Sequence, residues 1–216
     1  MSRKSRTASK GTCSLCKSTF DKSGMTKHLQ SCLGRTQSDG EPMNESSPSL
    51  KFFHLLVEGH DLPEYWMHLK VSSHARFQDL DDFLRDIWLE CCGHMSAFRI
   101  GREEVKKSKK LEYVLQPGMQ LIHEYDFGST TELMLRVISE FKSDSKKGKV
   151  EILARNDPPQ IKCSHCDHLA AHICTECAYE DEGWLCDDCA EGHECGEDML
   201  LPVVNSPRTG VCGYTG

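Results

Sequence analysis

The chain predicts an α+β fold, a mostly antiparallel sheet with one main helix, flanked by two small zinc-stabilised modules. Three observations carry this expectation. Eight of the thirteen cysteines fall into four CxxC pairs toward the two ends. One long stretch of apolar patterning lies between them, and within it several period-2 runs accompany a single period-3.6 run. In order, the chain divides into a basic arm at 1–12, a metal motif at 13–34, a linker at 35–49, a central domain at 50–156, and a second metal module with its tail at 157–216.

With 216 residues, the chain has room for one medium domain and two small metal-held ones. The first residues, MSRKSRTASKGT, are basic and polar with no apolar run behind them, and no stretch approaches the length of a membrane span. The expectation is a soluble, cytoplasmic chain with no membrane partner and with reduced cysteines, which favours metal ligation over a disulfide framework. The net charge of −7 is an average over unlike ends. Residues 1–35 carry eight Lys or Arg against one acid, and residues 157–200 carry twelve Asp or Glu against one Lys. A basic arm attracts phosphate backbones, whereas an acidic module is repelled by them.

The first motif, CSLCKSTFDKSGMTKHLQSC, offers Cys13 and Cys16 on a turn, then His28 and Cys32 four residues apart. Two residues between thiolates let one turn present both sulfurs to one ion, and an i, i+4 pair shares one helix face. Phe20, Met25 and Leu29 supply the apolar core of a finger too short to fold without its metal. The pattern resembles a Cys-Cys-His-Cys variant of the ββα zinc finger. In a major groove its early helix positions, Ser23, Gly24, Thr26 and Lys27, would face base edges, and one finger covers about three base pairs. Arg3, Lys4, Arg6, Lys10 and Lys17 are the candidate phosphate contacts. RTQSDGEPMNESSPS at 35–49 is a linker by its Ser, Pro, Gly and acid content.

The central stretch reads in order as strands KFFHLLVEG and YWMHLKVS, a helix FQDLDDFLRDIWLECC with Phe77, Leu80, Leu84, Ile87 and Trp88 at helical spacing, and a short strand around AFRI. MQLIHEYDFG and TELMLRVISEF then alternate, with FGS as the turn between them, and KVEILARN closes the sheet. Cys91 and Cys92 read as buried small apolar residues at a helix end. Trp66, the helix, GHMSAFRI at 93–100 and YDFG at 125–128 together resemble the Ri-plasmid open-reading-frame-three-like family, also known as transposon-passenger TnpR-like, over roughly residues 50–145. In that family a His-x-His-x-Phe pattern follows the helix. Here its positions hold His94, Ser96 and Phe98, and YDFG is followed by Ser129-Thr130-Thr131 instead of an acid and an aromatic. The resemblance implies a fold and no particular activity.

The last module, CSHCDHLAAHICTECAYEDEGWLCDDCAEGHEC, has three CxxC pairs followed by His193 and Cys195. Its spacing resembles a B-box or related cross-brace module, which implies Cys163, Cys166, Cys186 and Cys189 for one ion and Cys174, Cys177, His193 and Cys195 for the other. A sequential pairing is also open. The tail LPVVNSPRTGVCGYTG ends with Cys212 in a knuckle-like turn, so Cys212 is an alternative to Cys195. His165, His168 and His172 read as exposed loop residues. Each site is closed by four protein ligands, the pattern of structural zinc, so about three structural Zn2+ ions are expected.

Two functions follow from the sequence. One is a non-enzymatic zinc-binding adaptor or regulatory protein, with residues 1–34 contacting nucleic acid or a ribonucleoprotein and 157–216 contacting protein. The other is a hydrolase-like or nuclease-like enzyme whose site gathers His94, His123, Glu124 and Asp126, where a carboxylate beside an imidazole would serve as an acid–base pair.

Overall fold

In the computed structural model, residues 9–38, 50–143, 148–180 and 182–216 are described, the side chains of 35–38 and of Tyr179 excepted. Most of the proposed basic arm and linker, residues 1–8 and 39–49, lies outside the described residues. The strands are β1 (Lys10–Cys13), β2 (Thr19–Asp21), β3 (Leu50–Gly59), β4 (Trp66–Ser72), β5 (Ser96–Ile100), β6 (Glu103–Val105), β7 (Gln120–Tyr125), β8 (Thr131–Ser143), β9 (Val150–Asn156), β10 (His172–Cys174), β11 (Trp184–Leu185) and β12 (Leu200–Pro202). The helices are α1 (Lys22–Ser38), α2 (Phe77–Leu84) and α3 (Asp187–Glu191).

Nine strands form one sheet in the order β2-β1-β9-β4-β3-β8-β7-β5-β6. Every neighbouring pair in it is antiparallel. A separate sheet, β11-β10-β12, belongs to the C-terminal module. This corrects the predicted α+β class with one main helix. The molecule is mostly antiparallel sheet, with α1 and α2 packed on the large sheet and the five-residue α3 in the C-terminal module. The segment expected to be the main helix is helical for only eight residues. From Arg85 to Leu89 it passes into a π turn, closed by the Glu90 amide donating to the Arg85 carbonyl at 2.8 Å. The wider turn lets Trp88 and Leu89, adjacent in sequence, both reach the core. The longest α-helix among the described residues is α1, in the finger.

Strands β3 and β4 read as near-continuous apolar runs because both of their faces are covered. On one face Phe53, Leu55, Val57, Met67 and Leu69 pack with Phe77, Leu80, Leu84 and Trp88 of α2 and the π turn, and with Leu121, Tyr125, Leu133 and Leu135 of β7 and β8. On the other, Leu56, Trp66, Leu153 and Ala154 pack with Met25, Leu29, Cys32 and Leu33 of α1. The finger is therefore built into the sheet. Gly11 opposes Asn156 and Cys13 opposes Ala154 in the pairing of β1 with β9. A Cβ at Gly11 would lie 2.2 Å from the Arg155 carbonyl oxygen and 2.7 Å from the Trp66 ring, so this close approach requires glycine.

Two histidines are sealed under the finger helix. His54 Nε2 and His68 Nδ1 lie 2.8 Å apart, both rings fully buried, with Thr26 Oγ1 of α1 at 3.4 Å from His68 Nε2. Burial pulls His54 down to about 4 and His68 to about 3, so both rings are neutral at pH 7.

Candidate metal centres

The finger presents its ligands from a turn and a helix. Cys13 ends β1, and the turn after it is tied down by the Lys17 amide donating to the Cys13 carbonyl at 2.9 Å and the Ser14 amide donating to the Leu153 carbonyl of β9 at 2.7 Å. Asp21 stops the second strand and starts α1, its carboxylate accepting from the Gly24 amide at 2.6 Å and the Ser23 hydroxyl at 3.1 Å. These constraints place Cys13, Cys16, His28 and Cys32 with their donor atoms within 4.8 Å of one another. Cys16 Sγ and His28 Nε2 are 3.2 Å apart, and the His28 ring stacks on Phe20 at 4.5 Å.

In the C-terminal module the first and third CxxC pairs meet, and so do the second pair and the downstream ligands. Cys163, Cys166, Cys186 and Cys189 form one cluster, and Cys174, Cys177, His193 and Cys195 another, each within the same 4.8 Å span. Cys166 Sγ lies 3.6 Å from Cys186 Sγ and 3.9 Å from Cys189 Sγ. Cys177 Sγ lies 3.5 Å from His193 Nε2 and 3.6 Å from Cys195 Sγ. The crossing follows from the small sheet: His172 pairs with Leu185 and Cys174 with Leu200, which carries Cys186 past the second pair to the first. A tetrahedral zinc with bonds of about 2.3 Å to sulfur sets the sulfurs about 3.8 Å apart, so these spacings fit a metal of that size.

Charge within the clusters is uneven. The Ser18 hydroxyl and amide draw Cys16 down to about 6, whereas burial and then the neighbouring Cys13 push Cys32 up to about 11. Hydrogen bonding to Cys195 heads the causes that lift Cys177 to about 12, and hydrogen bonding to Cys186 those that lift Cys189 to about 12. Thiols this close cannot all ionise unaided, and a divalent cation at their centre removes the conflict.

Cys212 joins neither C-terminal cluster; its sulfur lies 3.3 Å from His94 Nε2 and 3.9 Å from Cys92 Sγ. His172 pairs with Asp187 at 2.9 Å, and His168 lies 3.7 Å from Asp188. His168, Cys186 and Asp188 also lie close enough to form a three-donor group, but Cys186 is shared with the four-thiol cluster. Of the finger positions expected to face base edges, Ser23 and Lys27 are exposed, while Gly24 and Thr26 are partly buried.

The four residues of the enzyme hypothesis do not converge. His94 Nε2 and Asp126 Oδ2 approach to 3.5 Å, but Asp126 is held by the buried Arg208 guanidinium at 2.8 Å. Glu124 alternates with the buried His123 on β7, so it lies on the other face of the strand, where it pairs with Arg99 at 2.7 Å. His123 is fully buried on its strand, with Nε2 2.7 Å from Asp81 Oδ1. Burial pushes the Asp81 carboxyl up, but hydrogen bonds from His123, Lys107 and Ser96 outweigh it and hold the group at about 2. Sequence reasoning missed Asp81, whose acidic neighbours on α2 made it look like part of a solvated face. Of Cys91 and Cys92, both expected to be buried, Cys91 is partly buried and Cys92 is exposed.

No protein-family model matches the chain, and no curated protein matches it. Among solved structures, a protein of unknown function from Methanosarcina mazei Go1 is similar over 50% of this chain and 70% of its own length, at 17% identity and a TM-score of 0.45. Among the described residues no helix is long and apolar enough to cross a membrane.

Proposed function

We propose that this protein is a non-catalytic, zinc-dependent adaptor whose basic N-terminal finger contacts nucleic acid or a ribonucleoprotein and whose acidic C-terminal module contacts protein. The observation that carries this reading is the closure of the finger and both C-terminal clusters by four Cys or His donors each. Such sites hold zinc structurally and leave no position for a substrate or a reactive water. The charge partition supports this choice of partners: Lys10, Lys17 and Lys27 stand exposed on the finger, and the segment 157–200, which carries the ligands of the other two clusters, holds twelve acids against one Lys. In the same reading the adaptor works in the cytoplasm, where thiols stay reduced, and its central domain belongs with the Ri-plasmid open-reading-frame-three-like proteins through the YDFG corner and Trp66.

The test is fluorescence anisotropy with single-stranded RNA and duplex DNA across a salt series. Binding weakens as salt rises, and each of Lys10→Ala, Lys17→Ala and Lys27→Ala lowers the salt slope by about 1 if that residue meets a phosphate. Binding unchanged by the triple variant would remove the finger as the contact.

A further inference from the structure

Ten of the thirteen cysteines sit in the finger and the two cross-brace clusters, leaving Cys91, Cys92 and Cys212. These three meet at one point with His94, all four donor atoms within 4.8 Å of one another. Cys92 Sγ is 3.0 Å from His94 Nε2, 3.8 Å from Cys91 Sγ and 3.9 Å from Cys212 Sγ, and His94 Nε2 is 3.3 Å from Cys212 Sγ. A disulfide would bring two sulfurs to about 2.05 Å, whereas the sulfur–sulfur distances of 3.8 and 3.9 Å match the edges of a tetrahedron of zinc ligands.

We propose that Cys91, Cys92, His94 and Cys212 form a fourth zinc site, which staples the C-terminal tail to the central domain. Three thiolates and one imidazole are a donor set that suits zinc. The surroundings hold the ligands in place. Glu90 Oε1 accepts from the Gly93 amide at 2.6 Å and from the Tyr125 hydroxyl at 3.0 Å, fixing the loop that carries three of the ligands. Gly93, at φ +82°, makes the turn between Cys92 and His94. Cys212 itself has φ +51°, a region that non-glycine residues enter when their surroundings impose it.

Charge is matched as well. Arg208, fully buried, donates to Cys91 Sγ at 3.5 Å and to Asp126 Oδ2 at 2.8 Å, so a fixed cation borders the thiolates from the same tail that supplies Cys212. The tail is seated for this role: the Ser206 hydroxyl donates to the Trp88 carbonyl at 2.6 Å and the Trp88 indole donates to the Asn205 carbonyl at 3.0 Å. With this site every cysteine of the chain is a ligand.

The experiment is a metal count by native mass spectrometry on the full chain, prepared anaerobically with zinc, together with Co2+ substitution. Four ions are expected, falling to three in both Cys92→Ser and Cys212→Ser. A count of three that neither variant changes overturns the proposal, and so does a disulfide among Cys91, Cys92 and Cys212. Should those variants fail to fold, His94→Cys supplies the check. It keeps four donors and four ions, while its Co2+ spectrum gains thiolate-to-metal intensity relative to the parent. An unchanged Co2+ spectrum in His94→Cys overturns the proposal. Cys195→Ser, which alters a different cluster, leaves the fourth ion in place.

Discussion

Cys13 and Cys163 each open a CxxC pair, yet they rest on different supports. Cys13 ends a strand paired with β9, and the helix after it packs Met25, Leu29 and Leu33 on Leu56, Trp66 and Leu153 of the main sheet. Cys163 precedes a three-stranded sheet whose buried Ile173 and Leu185 belong to neither of the large apolar clusters. The same ligand chemistry thus serves a finger with a borrowed core and a module in which the ligands Cys163, Cys174 and Cys186 are, among the described residues, half of the buried hydrophobic ones. Metal dependence is therefore a property of what surrounds a site as much as of its donors.

Chelation is the largest test of this contrast. On EDTA treatment, amide hydrogen exchange should show β10, β11 and β12 losing all protection, β3, β4 and β8 keeping theirs, and β1 falling between. Apparent binding energies of about 10–16 kcal/mol for structural zinc in isolated fingers set the scale for the C-terminal loss. If β1 loses protection as fully as β10, the borrowed core does not support it.

The tail's attachment comes next. Arg208→Ala takes the buried guanidinium from Asp126, together with the packing of a fully buried side chain, and should lower stability in urea by about 3–5 kcal/mol. Asp126→Asn should recover part of that loss in the double variant. Independent losses that simply add would show that the two groups do not act as a pair.

The buried His54–His68 pair makes the finger's docking sensitive to acid. Both rings are depressed by burial, so above about pH 6.5 neither the folded nor the unfolded chain protonates them and the contribution is flat. Below it the unfolded chain takes up protons that the folded chain refuses, and stability falls by about 1.4 kcal/mol per pH unit per ring until the folded rings titrate near 4 and 3. Denaturation of the metal-loaded chain across pH 7 to 5 should show a shallower slope in His54→Leu/His68→Leu. Equal slopes would mean that water reaches the pair.

Gly11→Ala probes the finger alone. Its Cβ must displace the Arg155 carbonyl or the Trp66 ring, at a cost of about 1–3 kcal/mol, with increased exchange at β1 and none at β10. Spread of the effect to β10 would erase the distinction between the two ends.

The strands were legible because alternation and apolar runs report burial directly: QLIHEY shows its inward Leu121 and Tyr125 in the sequence itself. The CxxC spacing likewise pointed to the residues that the folded chain gathers into three clusters. What the sequence did not display is pairing across distance. Nothing local in KGTC says that it will lie beside VEILARN, and so the finger read as a separate bead and the sheet as smaller than it is. The π turn was hidden because Phe77, Leu80, Leu84 and Trp88 keep helical spacing through the change of hydrogen bonding. His94 and Cys212, 118 residues apart, could not be joined by any window. The available signal was arithmetic: three sites leave three cysteines, two of them beside a histidine.

The pairing of Gly11 with Asn156 also fixes an order of assembly. During synthesis the finger can take up zinc and close its helix early, but its strand has only β2 beside it, with the other edge open, until β9 has been made. Meanwhile the apolar side of α1, with Met25 and Leu29, has nothing to cover it. Such long-range pairing forms slowly, so the finger spends that interval as a folded bead with an exposed greasy face, the stage at which a chaperone would find it.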